Sequence, residues 1–154
     1  MKLIELINEK LILVGLEERD NHDAIKVLGN RLLTEGYVKD TFIDAAIQRE
    51  KEYPTGIQGV EINIAIPHTE NTHVINPGVA IGVLKEEVLF NKMDNPDERI
   101  KVKIIFLLAI KMPELHLEAL KEIMNIVQDA EMIKAICVGK DSKEIINIIG
   151  REDK

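Results

Sequence analysis

The 154-residue chain has no tryptophan, one cysteine, three phenylalanines and two tyrosines. So few aromatics argue against the stacking platforms that hold single-stranded nucleic acids. Positive charge is also short. Lys and Arg total 20 against 27 acids, a net charge of −7, and no basic cluster interrupts the chain. Nucleic acid and anionic membranes are therefore poor partners, and an electropositive protein is a better one. The lone Cys137 allows neither an internal disulfide nor a thiolate pair for a metal. It lies in the apolar run Met132-Ile133-Lys134-Ala135-Ile136-Cys137-Val138 and reads as a buried small hydrophobe rather than a reactive thiol. No apolar run approaches the ~20 residues of a bilayer span. Glu5 and Glu9 interrupt any signal-peptide core, so a cytoplasmic location is expected. Repeats and low-complexity tracts are absent as well.

What remains is 45% hydrophobic and 31% charged, the make-up of a globular chain whose length suits one domain over residues 1–154. Apolar runs predict strands at 11–15, 62–66, 79–84 and 102–110, with a short edge strand at 86–90. A first helix opens at Asp20 or Asn21, carries Ala24, Val27, Leu28, Leu32 and Leu33 at helical spacing, and stops at Gly36. Asp40 is expected to cap a second, which buries Phe42, Ile43, Ala46 and Ile47 and runs out through the charged stretch 48–52. Residues 91–98 read as a surface loop. A third helix opens at Pro113 with Leu117, Leu120, Ile123, Met124 and Val127 as its buried stripe, and two shorter helices follow at 131–138 and 142–149. The expected fold class is α/β with an α+β-like order, a single domain whose mixed sheet of about five strands is covered by helices.

One stretch organises the rest: Ile62-Asn63-Ile64-Ala65-Ile66-Pro67-His68-Thr69. Its apolar alternation stops at Pro67, which cannot donate to a sheet ladder, and His68 follows at once. His116 stands in the first turn of the helix after the most apolar run. If the two strands run the same way, both imidazoles open on one sheet edge. Arg49 lies in the charged run that ends a helix just before the turn Pro54-Thr55-Gly56, which can bring it back towards His68. Three chemistries remain open on residue types alone. His68 could be a nucleophile towards phosphorus, with His116 and Arg49 as donors and no cofactor. His68, His73 and His116 could bind zinc, although His68-x4-His73 is a loop spacing and no His-Glu-x-x-His occurs. The histidines could also be incidental to an acidic binding module. His22, in the first turn of a helix, is given no role.

The stretch Gln48-Arg49-Glu50 to Thr55-Gly56-Ile57, continuing to Ala65-Ile66-Pro67-His68, resembles the signature of the fructose/mannitol-type EIIA domain of the bacterial sugar phosphotransferase system. A second match is the helix opening His116-Leu117-Glu118-Ala119-Leu120. The resemblance implies that His68 is the phosphoacceptor, that His116 donates to the phosphoryl oxygens, and that Arg49 supplies positive charge beside them. Thr55 and Gly56 would shape the turn against the site. It further implies phospho-HPr as donor and an EIIB cysteine as acceptor, no metal or cofactor, and contact with a membrane EIIC only through EIIB. Where many members have glycine after the active histidine, this chain has Thr69-Glu70. That loop looks more like the galactitol-specific branch, so galactitol or a related polyol is the expected sugar. A regulatory module of the nitrogen-regulatory type is the alternative.

Overall fold

Ile64 and Ile66 enter one apolar layer and Ala65, between them, enters the other, as the period-two reading of this stretch predicts. The same alternation runs through the neighbouring strands and divides the molecule into two cores on either side of one sheet. The computed structural model describes residues 2–152. Residues 1, 153 and 154, which the single-domain expectation includes, lie outside the described residues.

The strands are β1 (Ile12–Leu16), β2 (Gly56–Ile57), β3 (Asn63–Ala65), β4 (Gly78–Asn91) and β5 (Arg99–Ala109). They form one mixed sheet in the order β1-β4-β5-β3-β2. β1 runs parallel to β4, and β3 parallel to β5, while β4–β5 and β2–β3 are antiparallel. Helices α1 (Asn21–Thr34) and α2 (Phe42–Glu52) cover one face through Ala24, Ile25, Leu28, Leu32, Phe42 and Ala46. Helices α3 (Pro113–Gln128), α4 (Ala130–Cys137) and α5 (Ser142–Glu152) cover the other, with Ile123, Ile126, Ile133, Ile136 and Ile145 packed inward. Both faces of the central strands are thus dry, which is why β5 reads as an unbroken apolar run. The α/β expectation holds.

Several local expectations are corrected. The run at 79–84 and the supposed edge strand at 86–90 are one strand, β4, which lies inside the sheet. Its exposed Lys85-Glu86-Glu87 coincides with the register shift between Val83 and Val88, so those polar residues mark an irregularity rather than a strand end. Thr41, not Asp40, precedes α2, and no side chain caps that end. Asp20 does cap α1, accepting the Asp23 N–H at 2.8 Å, and Gly36 follows with a φ of +86° that favours glycine. The buried stripe of α3 is Ala119, Ile123, Ile126 and Val127, whereas Leu117 is 54% exposed. Cys137 is half-buried against the core beneath α3, α4 and α5; its surroundings push the thiol up to about 11, chiefly by burial.

Candidate active site

His68 leaves β3 and His116 leaves β5, and those strands are parallel. Their C-terminal ends therefore share one sheet edge, the usual place for chemistry in α/β folds. Pairing continues past the strand itself: the Leu108 N–H donates to the Pro67 carbonyl at 3.0 Å, so the backbone is held up to the residue before His68. Pro67 is buried and His68 only half-buried. The two imidazole rings meet edge to face, centroids 4.9 Å apart and planes at 65°. Arg49 lines the same open cleft of about 540 Å³, together with Thr69, Asn71, Lys111 and Leu117. The three residues singled out from the sequence are brought together.

The orientation of His68 is specific. Its Nδ1 lies 2.9 Å from the Ile66 carbonyl oxygen. A carbonyl only accepts, so Nδ1 carries the proton and a neutral ring presents its lone pair at Nε2. Burial lowers the His68 pKa below the ordinary 6.5; the Ile66 bond works against that, and Arg49 adds to it. His116 is lowered too, by burial first and then by His68 and Arg49. Near neutral pH both rings are therefore uncharged, and His68 is nucleophilic. His116 is the fourth residue of α3, at a helix end whose free N–H groups and dipole favour an anion.

Arg49 and Lys111 are the cations lining the cleft, and Arg49 is held by its own helix. Its guanidinium lies over the Tyr53 ring, 5.1 Å from the centroid. Its Nε is buried and has no hydrogen-bond partner among the described residues. A buried donor left unpaired is costly, and an anion in the cleft offers a means of satisfying it. Neither Tyr53, which the sequence marks only as part of the family signature, nor Lys111 is given a place in the site by periodicity.

Other predicted residues go elsewhere. His73 contacts the Thr41 hydroxyl through Nδ1 at 2.7 Å, and lines a neighbouring polar cleft with Arg49 and Tyr53. No group of three or more His, Cys, Asp or Glu side chains able to hold a metal occurs among the described residues. His22 lines a separate cleft. Thr55 and Gly56 are not in the cleft of His68. Thr55 is buried against Glu50, and Gly56 pairs with Ala65. Glu50 itself was missed. It follows Phe42 and Ala46 at intervals of four, so the helical period alone would have put it on the buried stripe.

The galactitol-specific EIIA component of Escherichia coli K12 is 29% identical over 122 residues, covering 79% of this chain and 81% of its own length. The fructose-specific EIIABC component of Bacillus subtilis is 28% identical over 158 residues, covering the whole chain but only 24% of that longer protein. The chain thus spans about a quarter of the fructose protein. The fold is shared with mannitol enzyme IIA in its complex with phosphorylated enzyme IIB from Escherichia coli, with a TM-score of 0.80 at 21% identity over 94% of this chain and 97% of that one. A family model matches residues 5–152, nearly end to end and through all the site residues described above. The chain belongs to the EIIA 2 family of the phosphoenolpyruvate-dependent sugar phosphotransferase system.

Proposed function

We propose that this chain, acting as a single domain over residues 1–154, carries a phosphoryl group on His68, taking it from phospho-HPr and giving it to a cysteine of an EIIB protein. The observation that carries this reading is the His68 ring, tied through Nδ1 to the Ile66 carbonyl and sharing a cleft with His116 and Arg49. The Nε2 lone pair attacks phosphorus in line. The new N–P bond forms as the donor's N–P bond breaks, and that electron pair stays on the donor imidazole. The Nδ1 proton remains in place, and the Ile66 carbonyl stabilises the positive charge that develops on the ring. Arg49 and His116 meet the charge spreading over the phosphoryl oxygens. In the second transfer an EIIB thiolate attacks, a P–S bond forms, and the electron pair returns to Nε2. No step requires a metal or cofactor.

Galactitol or a related polyol is the sugar this reading assigns, supported by the galactitol-specific relative and by the Thr69-Glu70 loop. The protein would work in the cytoplasm, meeting a membrane EIIC only through EIIB; no helix of the described residues is long and apolar enough to cross a membrane. Incubation with phosphoenolpyruvate, enzyme I and HPr, followed by intact mass, tests the carrier role. His68→Ala should fold and take up no phosphate, and full labelling of that variant overturns the assignment. Transfer from the labelled wild type to candidate EIIB proteins then tests the acceptor. Uptake from HPr without transfer to any EIIB would redirect the reading to the regulatory alternative.

A further inference from the structure

Glu50 is the buried carboxyl for which the transfer chemistry has no use. It is 4% exposed, on a helix stripe where Phe42 and Ala46 precede it and where a hydrophobe would be cheaper. Both of its oxygens are engaged by one residue. The Thr55 N–H donates to Oε2 at 2.9 Å, and the Thr55 hydroxyl donates to Oε1 at 2.7 Å. Thr55 in turn reaches the nucleophile through the backbone. Its carbonyl accepts the Ile66 N–H at 3.3 Å, and the Ile66 carbonyl accepts the His68 Nδ1–H at 2.9 Å. The next residues along, Gly56 and Ile57, pair with Ala65 and Ile64 of β3. Glu50 is also adjacent to Arg49 in α2. It therefore ties the helix bearing Arg49 to the hairpin bearing the nucleophile.

We propose that Glu50 is a positioning residue for phosphoryl transfer, setting Arg49 against His68 by clamping Thr55 with both carboxyl oxygens. The inference rests on the carrier function proposed above. Burial raises the Glu50 pKa to about 7, against the opposing pull of the Thr55 bonds. Protonation does not break the clamp, since a carboxylic acid can still accept the N–H and donate to the hydroxyl. Glutamine can do the same, accepting from the N–H and donating its amide hydrogen to the hydroxyl. Alanine cannot.

The test is single-turnover uptake at saturating phospho-HPr, with 15N spectra of the His68 imidazole. A misplacement of about 1 Å can cost roughly 10²-fold in rate, so Glu50→Ala should be slower by about 10- to 100-fold with an unchanged half-saturating donor concentration. It should still reach full labelling at His68, and its Nδ1–H tautomer should give way to a mixture. Glu50→Gln should restore both the rate and the single tautomer. Wild-type speed in Glu50→Ala overturns the proposal, as does a Glu50→Gln variant as slow as Glu50→Ala. If Glu50→Ala does not fold, Thr55→Val replaces it: slowed uptake beside a fast Glu50→Gln supports the clamp, and wild-type speed overturns it. A wild-type protein that takes no phosphate defeats the carrier reading instead. The tautomer comparison would then decide the Glu50 link by itself.

Discussion

His116 touches His68 edge to face and has no other task evident in the cleft. A donor that acts mainly in the transition state is worth ~10²–10³ in rate. His116→Ala should slow uptake or onward transfer by about that factor while His68 still becomes labelled, and His116→Gln, which keeps a donor, should recover part of the loss. Wild-type single-turnover rates in a folded His116→Ala protein would reduce the residue to a packing role. His68 also predicts a pH profile. In the proposed transfer its neutral ring is the nucleophile, and burial lowers its pKa, so the uptake rate should stay level above pH 6.5 and fall only in more acidic buffer. An inflection above 6.5 in the pH–rate curve of uptake contradicts that. At this scale His68, His116 and Arg49 were legible because each sits at a predicted element end. Glu50 was masked, since a charged run normally marks solvent even where the helical period points inward.

Among the elements, β2 is only two residues long, yet it joins the turn after α2 to β3. Gly56 makes that possible. A Cβ there would lie 2.6 Å from the Asn91 carbonyl oxygen and 3.3 Å from the Phe90 Cβ. The Gly56 carbonyl also accepts the Met93 N–H at 2.8 Å, so the backbone cannot simply retreat. Gly56→Ala should cost about 1–3 kcal/mol, read as a lower urea midpoint, and should slow uptake as β2 shifts. An unchanged midpoint would show that the end of β4 yields freely. β4 is the element that the sequence obscured. Lys85-Glu86-Glu87 resembles a turn locally, but pairing with β5 resumes beyond the register shift and carries the strand through to Asn91.

For the whole molecule, Glu50 and the two histidines pull stability in opposite directions with pH. Glu50 is raised from 4.5 to about 7. Between those values the unfolded chain loses a proton that the native chain keeps, so stability falls as pH rises, by roughly 3 kcal/mol in all. His68 and His116 are lowered, so below pH 6.5 the unfolded chain binds protons first and stability falls as pH drops. Glu50→Gln removes the first contribution and leaves the second. His22 and Lys51, which line a cleft of about 300 Å³ with Glu50, stay in place in that comparison. Urea midpoints should show Glu50→Gln gaining on wild type between pH 5 and pH 8, and parallel curves would refute the burial argument.

Periodicity and punctuation in the sequence determined the strand entering Pro67-His68, the apolar β5 strand, the helix opening at Pro113 and the α/β class. These are local consequences of alternation, of a missing N–H and of helix-end chemistry. The family signature likewise lies in contiguous residues. Only the tertiary structure decided that β3 and β5 are parallel neighbours, and hence that two histidines 48 positions apart have ring centroids 4.9 Å apart. It alone paired the Glu50 carboxyl with Thr55 and stacked Arg49 on Tyr53. Strand order and side-chain partnership depend on which surfaces bury one another, and no local window of sequence contains that information.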